Sequence, residues 1–186
     1  MKPPGLTLLS YALLGLLIQK PASGYDLRKI FSETPMANLS DSPGAIYPAL
    51  RRLEQRKLIT SLVEQGSGLR RRRVLRVTAP GLAELKAWLK RPIEQTDIAN
   101  RLEELMLRFA FFDRALGEKA TLQFLQSFEA GLKVYIPELR QYLRTNAAQM
   151  PVSAKLALDN GLLGYEAQRK WVAHAINTYQ KRVKSI

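Results

Sequence analysis

The sequence predicts a mainly α-helical protein in which a single β-hairpin follows three short helices. Apolar residues recur at intervals of three and four through most of the 186 residues, the spacing of helices with one buried face. Two stretches, 58–64 and 72–78, instead alternate as strands do, and a loop with glycines separates them. With a fourth helix after it, this order predicts a winged helix-turn-helix with a two-stranded β wing at residues 1–92. Residues 93–186 are predicted to be an all-α domain of long helices.

The first two helices are marked by residues that begin or end a helix. Residues 5–19 are apolar on nearly every side, which predicts a helix at the centre of a small domain. Residues 20–24 contain Pro and Gly, which cannot continue a helix cheaply, so the first helix ends there. Residues 25–33 predict a second short helix, and residues 34–41 form a turn.

The third helix is predicted to begin at Ser42, a good N-cap that a proline follows at the first helical position. Its buried face is predicted from apolar residues at three- and four-residue spacing: Ile46, Ala49, Leu50 and Leu53. Pro48 lies inside this helix and lacks the N–H that a helix interior requires. Either the regular helix starts after the cap, or its first turn is tightened or kinked.

The hairpin carries a run of four arginines at residues 70–73, between its loop and its second strand. Strand alternation places Arg71 and Arg73 on one side and Arg72 on the other, so two or three of these side chains can reach one surface. Thr78 is predicted to cap the fourth helix, residues 79–90, which a proline then ends.

The second half carries long apolar seams. Their residues step by three and four alternately, which places one helix against another. Pro137 bends or interrupts the first seam, and Arg169 intrudes on the second. These seams form either a helical core within one chain or the interface with a second copy. The residues concerned are Leu125, Phe128, Leu132, Leu139, Leu162, Tyr165, Val172, Ile176 and Tyr179.

The charge of the chain indicates a polyanionic partner. Its formal net charge is +13. Residues 1–91 hold 16 Lys and Arg against 6 Asp and Glu, a net of +10, and residues 92–186 hold 13 against 10, a net of +3. The excess therefore lies in the predicted winged helix, as expected if that domain binds nucleic acid; an acidic membrane surface is the alternative.

The residues needed for catalysis or metal binding are missing from the sequence. There is no cysteine and one histidine, His174, and neither a phosphate-binding loop nor a nucleophile motif occurs. We therefore expect no enzymatic activity, metal or cofactor. Residues 6–18 are apolar but shorter than the roughly 20 residues that span a bilayer. We expect a cytoplasmic protein without a membrane partner; the alternative is a secretory signal that is cleaved near Ser23.

Three stretches resemble the PadR family of bacterial transcriptional regulators. They are SGYDLRKIF at 23–31, SPGAIYPALRRLEQRKLI at 42–59 and RRRVLRVTAPGLAELKAWL at 71–89. The most specific is IYPALRRLE at 46–54, whose awkward Pro48 the family shares. The second half is similar in layout to the PadR subfamily with an extended helical dimerisation domain. The resemblance implies a homodimer, and repression relieved by a small-molecule effector of unknown identity or a cellular signal, although related proteins activate.

The third helix and the wing form the predicted DNA-binding surface. A helix fits the major groove, and its N-terminal N–H groups can bind a phosphate. Tyr47 and Arg51 are four residues apart and share a face. Arginines here bind guanine edges or phosphates, and sequence alone does not assign which. We expect DNA contacts from Ser42, Gly44, Tyr47, Arg51, Arg52, Gly68, Arg70, Arg71 and Arg72.

A dimer of this kind predicts an operator that is an inverted repeat of double-stranded DNA. The alternative is a dimeric winged-helix adaptor that works by protein contacts. Several aromatic residues either line an effector pocket or belong to the core: Trp88, Phe109, Phe111, Tyr165 and Trp171.

Overall fold

The computed structural model describes residues 5–34, 36, 42–65 and 71–184, and the chain divides into two compact units, Met1–Arg91 and Pro92–Ile186. The elements described in the first unit are α1 (Leu8–Gln19), α2 (Gly24–Glu33), α3 (Pro43–Gln55), β1 (Ile59–Gln65), β2 (Arg71–Val77) and α4 (Ala79–Leu89). The two strands pair antiparallel, from Ile59 opposite Val77 to Gln65 opposite Arg71. This is the predicted order of a winged helix-turn-helix with a two-stranded wing.

The segment between α1 and α2 fastens onto the free edge of β2. The Leu75 N–H donates to the Ala22 carbonyl at 2.9 Å, and the Ala22 N–H donates back to the Leu75 carbonyl at 3.3 Å. Val74 and Leu75 are each only 6% exposed. The base of the hairpin is therefore covered on its free edge by the N-terminal helices.

The helix α1 lies at the centre of the first unit, as its all-round apolar sequence predicts. Ala12, Leu13 and Leu14 are completely buried. The N-terminus is capped by Thr7, whose Oγ1 accepts a hydrogen bond from the Ser10 N–H at 3.2 Å. Cleavage near Ser23 would therefore remove the middle of this core.

The helix α3 begins at Pro43 and continues through Pro48 to Gln55. Its first turn is tightened: the Ala45 N–H donates to the Ser42 carbonyl three residues back, at 2.9 Å, and the Ile46 N–H donates to the same oxygen at 3.1 Å. Because Pro48 has no N–H, the tightened turn and the burial of the apolar face hold the helix together there. The structure thus chooses the tightened first turn among the alternatives that the sequence leaves open.

The corner between α3 and β1 is tight and packs directly against α4. Lys57 has a φ of 59°, a left-handed conformation that non-glycine residues adopt at a cost. The Thr78 hydroxyl donates to the Lys57 carbonyl at 2.7 Å, and the Thr78 N–H donates to the Leu58 carbonyl at 3.1 Å. A Cβ at Gly81 would lie 1.9 Å from that same Leu58 oxygen, so only glycine fits there.

The second unit is all-α. Its described elements are α5 (Gln95–Asn100), α6 (Leu102–Leu116), α7 (Glu118–Asn146) and α8 (Val152–Lys184), with a 3-10 turn at Ala147–Gln149. The prediction of long helices, and with it the whole fold class, is confirmed. Pro137 does not interrupt α7, which runs through it. Its side chain is exposed, so the buried face of the helix continues unbroken past it.

The seam residues pack α7 and α8 within the second unit. Leu125, Phe128, Leu132 and Val172 are completely buried by their own chain, and Ile176 is 8% exposed. The remaining seam residues are only partly exposed: Leu139, Leu162, Tyr165 and Tyr179. In this structure the seam therefore forms a core within one chain, the first of the two alternatives, and a part for these residues in a dimer interface stays a prediction.

The aromatic residues singled out from the sequence are distributed between the two units. Trp88 is 2% exposed and Phe111 is completely buried, so both belong to a core. Phe109 packs edge-on against Trp171, with ring centroids 5.1 Å apart. Tyr165 packs against Tyr135 and donates its hydroxyl to the Ala99 carbonyl at 2.9 Å.

In the part of the chain that the structure describes, no helix is long and apolar enough to cross a membrane. The same residues contain no cluster of three or more His, Cys, Asp or Glu side chains that could hold a metal ion.

Candidate nucleic-acid interface

The outward face of α3 carries the side chains that the sequence predicts to contact DNA. Gly44, Arg51 and Arg52 are exposed, and Tyr47 is 40% exposed. They lie opposite the buried apolar stripe of the same helix. Ser42 caps the helix as expected, with its Oγ accepting from the Gly44 N–H at 3.2 Å.

Tyr47 has a second contact, on the first turn of α2. A Cβ at Gly24 would come within 2.8 Å of the Tyr47 Cε1 atom, so the ring lies directly on the backbone of that turn. A side chain at position 24 would therefore displace the Tyr47 ring. The phenol is therefore held in place by α2 while part of its surface stays open.

The first turn of α2 borders the same face, and sequence reasoning did not include it. Ser23 and Asp26 form a capping box: the Ser23 N–H donates to the Asp26 carboxylate at 2.9 Å, and the Asp26 N–H donates to the Ser23 Oγ at 3.2 Å. Beside it Tyr25 is 60% exposed, and the Arg28 guanidinium lies 5.5 Å from its ring centroid. The S-x-x-D spacing at 23–26 was the signal available in the sequence.

A shallow cleft of about 610 Å³ joins these features. It is lined from α2 by Gly24 and Tyr25, from α3 by Tyr47 and Glu54, and from β2 by Arg73, among other residues. The beginning of α2, the exposed side of α3 and the base of the wing thus share one surface.

The wing residues of the prediction lie partly outside the described residues. Gly68 and Arg70 fall there. For Arg71 and Arg72 the structure gives the backbone alone, in β2 opposite Gln65 and Glu64. Their expected DNA contacts stay predictions.

Arg73, which strand alternation places on the same side as Arg71, is bound by α3. Its Nη2 donates to both carboxylate oxygens of Glu54 at 2.6 Å. The Ser61 hydroxyl of β1 donates to Glu54 Oε1 at 2.8 Å. The hydrogen bond from Arg73, followed by that from Ser61, lowers the pKa of Glu54 below its ordinary value, so the carboxylate stays ionised.

The charge of this surface is positive. Arg51, Arg52, Arg56 and Lys57 are all exposed at the C-terminal end of α3 and just beyond it. Glu54 is the one acidic residue in this stretch, and the ion pair with Arg73 neutralises its charge. Such a concentration of cations fits the phosphate backbone of a nucleic acid.

A capped helix with exposed arginines, beside an antiparallel hairpin, is the arrangement of a winged helix-turn-helix domain. Comparison with known proteins shows what this domain is similar to. Residues 13–87 match the model of the Transcriptional regulator PadR-like family. Residues 13–87, less than half of the chain, are thus similar to a family of transcriptional regulators.

A curated protein is similar over part of its length. The chain is 36% identical over 117 residues to the Negative transcriptional regulator PadR of Bacillus subtilis (strain 168). The matched stretch covers 61% of this chain and 61% of that relative, so it leaves more than a third of the relative unmatched.

Solved structures of PadR proteins are also similar. Bacillus subtilis PadR in complex with operator DNA matches with 24% identity and a TM-score of 0.43, covering 93% of this chain and 99% of that one. The same protein in complex with p-coumaric acid matches with 23% identity and a TM-score of 0.40, covering 94% and 99%. A PadR-like regulator from Bacillus cereus matches with 23% identity and a TM-score of 0.40, covering 91% and 94%.

Proposed function

We propose that this protein is a DNA-binding transcriptional regulator, and specifically a dimeric repressor that binds an inverted-repeat operator. The observation that carries the proposal is the exposed arginine face of α3 beside the wing. The name of the 36% identical relative, a negative transcriptional regulator, supports repression.

In this proposal α3 enters the major groove, which is wide enough for a helix. Arg51 and Arg52, both exposed, contact guanine edges or phosphates. Tyr47 of α3, whose ring lies against the first turn of α2, reaches the adjacent DNA backbone. Arg70, Arg71 and Arg72 of the wing follow the backbone or enter a narrow minor groove.

The second copy covers the first half of α8 in this proposal. Three large apolar residues there are strongly exposed: Val152 at 74%, Leu156 at 60% and Leu163 at 65%. They recur at intervals of four and seven, so they lie along one side of the helix. A protein that holds two winged helices together through this face presents two copies of α3 to the two halves of a palindromic site. In this proposal a small-molecule effector relieves the repression.

The test is the affinity for an operator selected from a random duplex pool by the unaltered protein. Wild-type affinity should fall by orders of magnitude between about 50 and 200 mM salt, because several phosphates are contacted. Arg51→Ala should weaken binding by about 5- to 150-fold if Arg51 reads a base, and should lower the salt slope by about 1 if it binds a phosphate. Arg71→Ala is expected to lower the salt slope by about 1, as the loss of a phosphate contact does.

Lys155→Ala is the matched control, since Lys155 is an exposed cation of the second unit. Circular dichroism should show an intact fold in every variant. Operator affinity that neither Arg51→Ala nor Arg71→Ala changes would exclude the proposed surface.

A further inference from the structure

We infer that Glu54 is a positioning residue that fixes the direction of the wing relative to α3 by holding Arg73, and that Arg73 is thereby reserved for the protein instead of the DNA. The inference rests on the proposed function, since it concerns how the two DNA-binding elements are set relative to each other.

The clamp joins three elements at one carboxylate. Glu54 belongs to the last turn of α3, Ser61 to β1 and Arg73 to β2, and all the contacts lie between 2.6 and 2.8 Å. The Arg73 side chain is 60% exposed and that of Glu54 33% exposed. An ion pair this open contributes little to overall stability, so its significance is geometric.

Geometrically, the clamp is a second point of attachment between α3 and the hairpin. The first is the corner, where the Leu58 N–H donates to the Leu53 carbonyl at 2.9 Å. Ser61 lies three residues further along β1, about 10 Å away at the rise of a strand. The backbone pair between Ala22 and Leu75 already holds the base of the hairpin on the edge of β2. The clamp binds Arg73, two residues nearer the loop, to α3, and so sets the direction of the part of the wing beyond that pair.

Charge gives the clamp a second effect. Glu54 lies among the exposed Arg51, Arg52 and Arg56, on the surface proposed to bind phosphates. An unpaired carboxylate there would repel DNA, and pairing with Arg73 brings the local charge of the two residues to zero. When both members are replaced by neutral residues, the wing should therefore lose its fixed direction relative to α3. The number of phosphate contacts should stay the same.

The experiment replaces the pair by Glu54→Gln with Arg73→Gln, which leaves the net charge unchanged. The affinity for a short random-sequence duplex and for the selected operator is measured by fluorescence anisotropy over a series of salt concentrations. The matched control is Glu129→Gln with Lys133→Gln, an ion pair at 2.9 Å within α7 of the second unit.

We expect the operator affinity of the Glu54/Arg73 double variant to fall about three- to fivefold, the amount that one exposed ion pair can supply. The salt slope should stay that of the wild type, and the control pair should change neither quantity. Glu54→Gln alone should steepen the slope by up to about 0.9, because Arg73 is then released toward a phosphate.

A slope that falls by about 0.9 in the double variant would show that Arg73 contacts a phosphate in the unaltered protein, which overturns the inference alone. Unchanged operator affinity would also overturn it, since nothing would then depend on the clamp. A wild-type protein that binds no duplex at low salt would overturn the proposed function, and the inference with it.

Discussion

Tyr11 joins the first and last helices of the N-terminal unit through both its ring and its hydroxyl. The ring stacks on Trp88 with centroids 4.3 Å apart and planes at 5°. The hydroxyl donates to Glu84 Oε1 at 3.2 Å. Burial, followed by the charge of Glu84, raises the pKa of Tyr11 from 10.0 to about 12.

This raised pKa predicts a loss of stability at alkaline pH. The folded protein holds the Tyr11 proton more tightly than the unfolded chain, so the contribution is complete below pH 10 and is lost as the pH rises toward about 12. Tyr11→Phe should therefore make the free energy of unfolding fall less steeply between these values. The measurement is urea unfolding at a series of pH values.

Tyr142→Phe serves as the control for this series, since Tyr142 is 52% exposed and lies in the other unit. A Tyr11→Phe variant with the same alkaline slope as the wild type would contradict the assignment. Other tyrosines contribute to the wild-type slope, because burial also raises the pKa of Tyr165 to about 12. The comparison therefore concerns the difference between variants.

At the residue scale, the sequence predicted which side chains are exposed better than it predicted which side chains form ion pairs with each other. The exposure of Arg51 and Tyr47 follows from helical periodicity, a local property. The contact between Glu54 and Arg73 spans nineteen residues and depends on strand register and on the way α3 meets the hairpin. No single-residue signal contains that information, so the sequence did not indicate that Arg73 pairs with Glu54.

At the scale of elements, the packing of α4 depends on one missing side chain. The first turn of α4 lies on the corner between α3 and β1, where a Cβ at Gly81 would overlap the Leu58 carbonyl. Gly81→Ala must move backbone, so we expect it to destabilise the protein by about 1–3 kcal/mol or more. The measurement is urea denaturation followed by far-ultraviolet circular dichroism.

The same substitution should have the opposite effect in α8. A Cβ at Gly161 would meet no atom within 4 Å, and the position is inside a helix of 33 residues. Gly161→Ala should stabilise by about 0.5–1 kcal/mol, because alanine loses less conformational freedom on folding. Equal effects of the two substitutions would contradict the packing described here.

Element boundaries were predictable because caps and helix breakers are local. The second helix was expected at 25–33 and runs from Gly24 to Glu33, and the fourth was expected at 79–90 and runs from Ala79 to Leu89. The course of α7 past Pro137 was less predictable. There the buried face, and not local propensity, holds the helix, so tertiary packing overrides the sequence signal.

For the whole molecule, the exposed face of α8 predicts the oligomeric state. Leu156→Glu with Leu163→Glu should convert the proposed dimer to a monomer in analytical ultracentrifugation, because the variant places two charges in an apolar interface. The fold of each chain should persist, since both side chains are exposed within the chain. Operator affinity should fall together with the dimer.

Gln180→Glu is the control for this experiment, because Gln180 is an exposed polar residue on the same helix. A double variant that sediments like the wild type would show that a second copy does not use this face. The sequence alone indicated long seams but did not say which residues of them remain uncovered, since that depends on how α7 and α8 pair.

The chain has two tryptophans, and the fold assigns one to each unit. Trp88 is stacked flat against a tyrosine in the first, whereas the partly exposed Trp171 meets a phenylalanine edge-on in the second. Each unit thus carries its own intrinsic fluorophore in distinct surroundings. Retaining one indole at a time allows the melting of either half to be followed optically in the full-length chain, without attaching a dye.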